Sequence, residues 1–364
     1  MTRALYIAAT SQNDGKTTVS LGLLYEFSKC FKNLGFIKPI GQQSVIINNE
    51  RIDKDPVLIE SVCHFECDIK SMSPIAIPQG FTEKYLLNRD AKRAELYQEL
   101  MEAYAEVSVG KDAVIIEGTG HAGVGSVFDL NNATVASMLK SKAIIVTKGG
   151  VGKPIDKVYL SKVLFEKAGV EILGVILNQV REDKYTKIKQ LAEIALNNMG
   201  LKLLGVIPQQ NILSAPTMYQ INDNLNGELI NGDNLYVSID EIVVGAMTAT
   251  HAIKRIKNGT LLITPGDRED LITAILSSEI SGNNHQGSLA GIILTGGIMP
   301  SPKALALIKK TNIPVITVKE ETYNTASHVH DLLVKIAPIE EKKIKLAQQL
   351  AKKYLDIDYI INNL

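Results

Sequence analysis

Residues 7–20 read IAATSQNDGKTTVS: an apolar run, a short polar loop, and Gly-Lys-Thr-Thr at the start of a helical pattern. This order of elements is typical of a phosphate-binding loop, in which Gly15 permits a tight turn and backbone amides surround an anion. Lys16 adds positive charge, and the Thr17 hydroxyl is placed to bind magnesium. Thr10 stands where the usual pattern has its first glycine, and we expect that position to shape only the entry of the loop.

An incidental Gly-Lys pair in an ordinary turn is the alternative to a phosphate-binding loop. The position of the pair, directly between an N-terminal strand and a helix, favours phosphate binding. The nucleotide contacts predicted on the loop are Asn13, Asp14, Gly15, Lys16, Thr17 and Thr18.

Composition narrows the classes of partner. The chain has 364 residues, and its 39 Lys and Arg balance its 39 Asp and Glu. Because there is no basic excess, we expect a small-molecule partner, and neither nucleic acid nor a membrane surface. We also expect a cytoplasmic protein, because the N-terminal apolar run lacks the layout of a signal peptide. Cys63 and Cys67 flank His64 in CHFEC, but a structural zinc site needs four ligands and no second pair follows.

Short apolar runs alternate with helical patterns along the first half of the chain, as in DAVIIEGTG, SKAIIVTKGG, GVEILGVILNQV and LKLLGVIPQ. Runs that are apolar on both faces indicate a parallel sheet covered on both sides. We therefore predict a three-layer α/β domain with a mainly parallel sheet over residues 1–212. A smaller α/β domain is predicted over 213–338, and it begins with a polar stretch in which we expect no strong strand. Residues 339–364 are predicted to form a terminal helix that packs on the second domain, or alternatively a helix that docks a partner.

Two further charged residues are predicted at strand ends near the loop. Glu117 ends the apolar run DAVIIEGTG, and Lys38 ends the run in FIKPIG. Ligands of open α/β sheets bind at the carboxyl ends of the strands, where a carboxylate can hold magnesium. The alternative for Glu117 is a solvated acid at the end of a strand.

The motifs TSQNDGKT, KPIG, IIEGTG and VILNQV, in this order, resemble the dethiobiotin synthetase branch of P-loop enzymes, which includes the cobyrinic acid amide synthases. The resemblance covers residues 1–210 and implies ATP and Mg²⁺ as cofactors. By this resemblance, Lys16 and Thr17 hold the phosphates and the metal, Glu117 and either Asp55 or Asp53 complete the metal site, and Lys38 lies beside the substrate and the transferred phosphate. Asn178 is implied to contact the adenine edge, and Pro208 is assigned to the same nucleotide site.

A second resemblance concerns the smaller domain. TPGDREDLITAIL followed by GIILTGG is similar to the DRTGG domain, and the candidate ligand residues there are Asp267, Arg268, Thr295, Gly296 and Gly297. Arg268 is expected to bind an anion while Asp267 holds it in place; the alternative is a pair that only stabilises the turn. The two domains together resemble the N-terminal region of long bacterial phosphate acetyltransferases. By this resemblance, the catalytic domain of those enzymes lies after the region that matches these 364 residues. Acetyl transfer by this chain alone is therefore not expected.

Three functions remain open from the sequence. The first is a nucleotide-binding regulatory protein whose second domain senses an unidentified small metabolite. The second is an ATP-dependent ligase that works through an acyl or carbamoyl phosphate, and the third is a scaffold that does not hydrolyse ATP. His121, after the Glu117 strand, is bulky where a dethiobiotin synthetase is expected to have small residues. A homo-oligomer is expected, with an acetyltransferase or kinase as a further partner.

Overall fold

The computed structural model describes residues 2–281, 287–332 and 334–364, which form two compact units. The first unit comprises Met1–Gln209 and Ile336–Leu364, and the second comprises Gln210–Lys335. The chain therefore leaves the first unit and later returns to it, so the second unit is an insertion. The sequence had placed the divisions before residues 213 and 339.

The first unit is built on a six-stranded sheet whose neighbouring strands are all parallel. The strands of this unit are β1 (Arg3–Ala9), β2 (Leu34–Ile37), β3 (Ile40–Gly41), β4 (Ser44–Ile47), β5 (Glu50–Asp53), β6 (Ile75–Ala76), β7 (Ala113–Glu117), β8 (Lys142–Lys148), β9 (Ile172–Val180) and β10 (Leu203–Pro208). The sheet order is β10–β9–β8–β1–β7–β2, which places β1 at the centre, with the phosphate-binding loop at its carboxyl end. The predicted parallel α/β domain is confirmed.

Helices cover both faces of this sheet. They are α1 (Lys16–Phe27), α2 (Lys54–Cys63), α3 (Ile69–Met72), α4 (Phe81–Leu87), α5 (Arg89–Ser108), α6 (Asn132–Met138), α7 (Lys153–Lys167) and α8 (Tyr185–Asn198). All five residues of β7 are buried, as are the five central residues of β8, and consecutive strand residues point to opposite faces. Both faces are therefore closed to solvent, which explains why these strands are continuously apolar.

The segment between β2 and β7 is more structured than the sequence predicted. The helical pattern of residues 91–108 predicts a helix, which is α5, whereas Gln42 to about Asp90 is expected to contain loops and one short helix. The structure has there the antiparallel hairpin β4–β5, the parallel pair β3–β6 and helices α2, α3 and α4. The hairpin strands are four residues long, and β4 has no buried residue. Neither SVII nor ERID alternates apolar and polar residues, which is the pattern by which a half-buried strand is recognised from sequence.

The second unit has a five-stranded mixed sheet. Its elements are α9 (Asn211–Ser214), α10 (Met218–Leu225), β11 (Glu228–Asn231), β12 (Glu241–Val244), α11 (Ala249–Ile253), β13 (Thr260–Pro265), α12 (Glu269–Ile280), β14 (Leu289–Thr295), α13 (Pro302–Ile308), β15 (Val315–Thr317) and α14 (Thr322–His330). The sheet order is β11–β15–β14–β13–β12, with β11 antiparallel to β15 and the other pairs parallel. β11 lies in the polar stretch where no strong strand was expected. It is an edge strand of four residues that pairs on one side only, with β15.

The C-terminal segment corrects one expectation. It forms α15 (Glu341–Tyr354) and α16 (Ile357–Asn362), and both belong to the first unit, whereas packing on the second domain was expected. α15 packs against α1, the helix that follows the phosphate-binding loop. A Cβ atom at Gly22 would lie only 2.3 Å from Cβ of Ala351. The glycine in α1 thus lets α15 approach closely, and α1 is buried between the sheet and this helix. Within the described ranges, no helix has the length and apolar character needed to span a bilayer.

We expect Gly22→Ala to destabilise the first unit. Alanine normally favours a helix over glycine by about 1 kcal/mol, but here its methyl group overlaps Ala351, and overpacking of this kind costs about 1–3 kcal/mol. Urea denaturation measures the change in the free energy of unfolding. The matched variant is Gly22→Ala/Ala351→Gly, which removes the opposing methyl group and should recover part of the loss. A stability gain in the single variant would contradict the close packing of α1 on α15.

Candidate functional site

The loop between β1 and α1 has the backbone geometry that phosphate binding requires. Gly15, the residue before α1, has a φ of 97°, which favours glycine, and Asn13 also lies in the left-handed region with a φ of 62°. A Cβ atom at Gly15 would lie 2.0 Å from Nδ2 of Asn178. Conformation and space therefore both demand glycine at this position. The six predicted phosphate contacts, Asn13, Asp14, Gly15, Lys16, Thr17 and Thr18, all lie on this loop or in the first turn of α1.

Thr10 connects the two ends of the loop. Its Oγ1 donates a hydrogen bond to Oδ2 of Asp14 (2.7 Å) and lies 2.8 Å from Oγ1 of Thr147 on β8. Thr10 and Asp14 are both buried. Burial raises the pKa of Asp14, an effect that the hydrogen bond from Thr10 opposes. The residue that replaces the usual first glycine is therefore a structural part of this loop.

The end of β9 supports the loop from the opposite side. Asn178 Nδ2 donates to the carbonyl oxygen of Asp14 (2.9 Å), and Gln179 Nε2 donates to that of Asn13 (3.1 Å). Oδ1 of Asn178 accepts the backbone N–H of Gln179. Pro208 pairs with Val180 in the register of β10 and β9, one strand further along the sheet. Both polar ends of the Asn178 amide thus contact the chain itself, and contacts of Asn178 and Pro208 with adenine stay predictions.

Lys16 and Thr17 join the loop to the strand β7. Lys16 Nζ donates to the carbonyl oxygen of Gly120 (2.9 Å), and Thr17 Oγ1 donates to Oε1 of Glu117 (3.0 Å). Burial lowers the pKa of Lys16 to about 8, although Glu117 opposes this shift. An anion beside Lys16 would restore the usual preference for the charged ammonium.

Lys38, Asp53, Asp55 and Glu117 form a buried charged cluster beside Thr17. Lys38 Nζ contacts Asp55 Oδ2 and lies 3.2 Å from Asp53 Oδ1 and 3.6 Å from Glu117 Oε1. Burial lowers the pKa of Lys38, but the negative charges of Asp55, Glu117 and Asp53 raise it by more. The pKa of Lys38 therefore lies above its usual range. Burial, followed by the charge of Asp55, raises the pKa of Glu117. The acid expected at the end of β7 is therefore buried in the site, and the alternative of a solvated acid is wrong.

Asp53 and Asp55 have different roles, although the sequence left open which of them reaches a metal. Oδ2 of Asp53 accepts the backbone N–H groups of Gln42 (3.1 Å) and Gln43 (3.2 Å), and Oδ1 accepts that of Asp55 (3.0 Å). Asp53 is thus the N-cap of α2. Asp55 contacts Lys38 with Oδ2 and is better placed to serve as the metal ligand.

The oxygen atoms of this cluster fit Mg²⁺. Thr17, Asp55 and Glu117 offer the hard oxygen ligands that Mg²⁺ prefers. Oε2 of Glu117 is buried and accepts no hydrogen bond of normal geometry in the part of the chain that the structure describes, and the buried hydroxyl of Ser20 lies beside this carboxylate. Within the same ranges, no group of three or more acidic, His or Cys side chains is arranged to hold a metal by itself. A metal here would therefore also need oxygen from phosphate or water, as is usual for Mg²⁺.

Asn132 was missed in the sequence and positions the loop that follows β7. Its Oδ1 accepts hydrogen bonds from Tyr6 (2.7 Å) and from the backbone N–H of Thr119 (2.9 Å), and its Nδ2 donates to the carbonyl oxygens of Thr119 and His121. A Cβ atom at Gly118 would lie 2.4 Å from Oδ1 of Asn132, which explains the first glycine of EGTG. His121 Nδ1 accepts the backbone N–H two residues later, so this loop histidine supports local structure.

Arg268 of the second unit is engaged within its own domain. Its guanidinium donates to the carbonyl oxygens of Gly245 (2.9 Å) and Met247 (3.0 Å) and forms a bidentate pair with Asp270. The carboxylate paired with Arg268 is therefore that of Asp270, and the expectation that Asp267 holds it is corrected. Asp270 is the second residue of α12, so its carboxylate lies in the first turn, beside the arginine that precedes the helix. These contacts agree with the alternative in which the arginine stabilises the turn.

The Thr-Gly-Gly motif ends β14 beside α14. Gly296 and Gly297 have φ values of 79° and 65°, and their N–H groups donate to the carbonyl oxygens of Glu320 and Val318. Oγ1 of Thr295 lies 2.7 Å from that of Thr322. Both glycine amides are thus used to join the strand end to the next connection, and ligand binding by these residues stays a prediction.

Known proteins share both domains with this chain. Residues 3–217 match the AAA domain family, and residues 220–332 match the DRTGG domain family. The phosphate acetyltransferase of Nitratidesulfovibrio vulgaris is 27% identical over 98% of this chain and 51% of its own length. That of Synechocystis sp. is 26% identical over 100% of this chain and 52% of its own length. The chain therefore spans about half the length of the curated relatives it matches.

A solved structure with a similar fold is the septum site-determining protein MinD of Pyrococcus horikoshii in complex with Mg-ADP. It is 19% identical, covers 59% of this chain and 84% of the MinD chain, and has a TM-score of 0.35. The combination of a P-loop domain with a DRTGG domain, predicted from sequence, is confirmed by the two family matches. The match to the AAA domain family extends over more than half of the residues of this chain, so the chain belongs to that family; it also carries a DRTGG domain.

Proposed function

We propose that the first unit binds ATP with Mg²⁺ and that the second unit senses a small metabolite, so that the chain acts as a regulatory protein. The observation that carries the proposal is the convergence of Lys16, Thr17, Asp55 and Glu117 at the carboxyl end of β1 and β7. Cations beside a loop of backbone amides bind phosphate, and neighbouring carboxylates bind its metal.

Each residue has a separate task in this proposal. With nucleotide bound, Lys16 would turn its ammonium from the carbonyl oxygen of Gly120 to the phosphates, and Thr17 would turn its hydroxyl from Glu117 to the metal. The metal would supply positive charge to the phosphate oxygens. Asn178 and Thr10 keep the loop in the conformation that presents its amides. The buried position of the cluster strengthens these interactions, because the effective dielectric is lower than in water.

The similarity to phosphate acetyltransferases supports the regulatory part of the proposal. It extends over both domains and covers about half of each relative. We propose that ligand binding by this chain changes the activity of a partner enzyme, an acetyltransferase or a kinase that uses the same metabolites. A homo-oligomer formed by copies of this chain is part of the same proposal.

An ATP-dependent ligase is the second candidate, and the position of Lys38 favours it. Its ammonium lies in the cluster with Glu117, close to Thr17 of the phosphate loop, where it can neutralise a transferred phosphate. Phosphate release that requires a particular carboxylate substrate would support the ligase. Release that is absent or independent of any carboxylate favours the regulatory protein.

ATP with Mg²⁺ should raise the melting temperature of the wild type, and Lys16→Ala should abolish the increase. A ligand at about 100 times its Kd adds about 2.7 kcal/mol of stability, which corresponds to several degrees for a unit of this size. Differential scanning fluorimetry with and without nucleotide measures the shift. Lys187→Ala, which removes an exposed lysine from α8, is the control and should keep the full shift. An unchanged melting temperature of the wild type at millimolar ATP would favour the scaffold.

Arg268→Ala should destabilise the second unit by about 1–3 kcal/mol, because it leaves the carbonyl oxygens of Gly245 and Met247 without their donor. Chemical denaturation followed by circular dichroism measures the loss. Arg255→Ala, which removes an exposed arginine in the same unit, should change stability by less than about 0.5 kcal/mol. A thermal-shift screen of metabolites on both variants then tests whether Arg268 also binds a ligand. Unchanged stability of Arg268→Ala, together with a lost metabolite shift, would instead make the arginine a ligand contact.

A further inference from the structure

Lys38 occupies the space between the carboxylates that fit a metal. Its side chain is 6% exposed, and its Nζ reaches Asp55, Asp53 and Glu117. The atom of Glu117 nearest to Nζ is Oε1, which also accepts the hydroxyl of Thr17. The ammonium therefore lies against the same oxygen atoms that would bind a divalent cation.

The charges of the cluster explain why a cation is needed there. The cluster contains three buried carboxylates and one ammonium group. Lys16, which is also buried, is the next cation whose charge acts on Glu117. Removing one partner of a buried ion pair leaves an uncompensated charge and is strongly destabilising. A divalent cation supplies the compensating charge as well as Lys38 does, and both require the same oxygens. Their binding is thus mutually exclusive unless the ammonium gains another anion.

We propose that Lys38 is an internal competitor of the divalent cation and makes metal binding depend on the phosphates of a nucleotide. The proposal rests on the proposed function, since the phosphates are the anion to which the displaced ammonium turns. Free Mg²⁺ must expel a buried ammonium whose ion-pair partners, among the residues that the structure describes, are these same three carboxylates. Mg²⁺ that arrives with a nucleotide brings the compensating phosphates, so the exchange leaves no buried charge unpaired.

The competition has a consequence for the order of binding. Without the ammonium, Asp55, Glu117 and the Thr17 hydroxyl would offer oxygen atoms that could bind Mg²⁺ from solution together with water molecules. When the Lys38 ammonium is present, it already compensates the negative charge of the cluster. A divalent cation without a nucleotide therefore gains little free energy by binding there. Lys38 is thus a positioning residue for the metal, in addition to any contact with a transferred phosphate.

Lys38→Met tests the proposal in the absence of any nucleotide. Methionine keeps the length of the side chain and removes its charge, so the three carboxylates need another cation. We expect this variant to bind Mn²⁺ at least about tenfold more tightly than the wild type, measured by the loss of the free Mn²⁺ signal in electron paramagnetic resonance. We also expect its melting temperature to fall in EDTA and to recover in Mg²⁺, whereas that of the wild type is the same in both.

Two control variants separate charge from packing. Lys38→Arg keeps a cation and should bind Mn²⁺ as weakly as the wild type. Lys343→Met removes the lysine of another buried ion pair, with Glu340, and should lose stability without any recovery in Mg²⁺. If Lys38→Met is too unstable to titrate, Lys38→Gln carries the same expectation.

Equal Mn²⁺ binding by the wild type and Lys38→Met would overturn the proposal, and so would tighter binding by Lys38→Arg. Since no nucleotide is present in these titrations, their result is independent of whether ATP binds to the loop. If ATP fails to raise the melting temperature of the wild type but Lys38→Met still binds Mn²⁺ more tightly, the proposed function is contradicted and the competition between Lys38 and the cation is not.

Discussion

Buried charge is the constraint on which the arrangement of the first unit depends. Lys16, Lys38, Asp55 and Glu117 are each at most 8% exposed, and such groups are tolerated only when they are paired or hydrogen-bonded. Each of them comes from a different element: the start of α1, the end of β2, the start of α2 and the end of β7. Pairing them therefore fixes the positions of these ends relative to one another. The strands concerned, β1, β7 and β2, are neighbours in the sheet, and this adjacency lets the charges pair.

The sequence predicts most of the groups in this cluster because parallel strands bring their carboxyl ends to one edge. Glu117 and Lys38 are recognisable since each follows an apolar run directly. Asn132 carries no such signal: it lies at the start of a helix, 13 residues after the Thr119 backbone that it holds. Its role depends on tertiary proximity to Tyr6 on β1, which spacing along the chain does not show.

The position of the terminal helix shows a similar limit. The apolar stripe of α15 predicts burial but does not specify the surface it contacts, since any apolar face would satisfy it. The deciding feature is Gly22 in α1, where the absence of a side chain permits close approach of Ala351. Read from sequence alone, Gly22 is a mildly unfavourable residue in a helix. Likewise, β11 forms at a sheet edge within a polar stretch, where hydrogen bonding to β15 and the packing of Ile230 on the core hold a strand of only four residues.

The named motifs of the second unit act largely through the backbone. Arg268 holds two carbonyl oxygens after β12, while Gly296 and Gly297 adopt positive φ values that turn β14 toward the next connection. Their physical task is to shape the carboxyl edge of a parallel sheet, which is the edge where open α/β sheets bind ligands. The backbone contacts of the motif thus give this edge of the sheet its shape.

The insertion of the second unit gives the chain two covalent links between its domains. The chain leaves the first unit at the end of β10 and returns just before α15. These two elements are themselves joined, because the backbone N–H of Asp356, after α15, donates to the carbonyl oxygen of Leu204 on β10. α15 in turn packs on α1, whose first turn carries Lys16 and Thr17. The C-terminal link from the second unit thus leads into a helix that packs on the phosphate-loop helix, and this packing is tightest at Gly22.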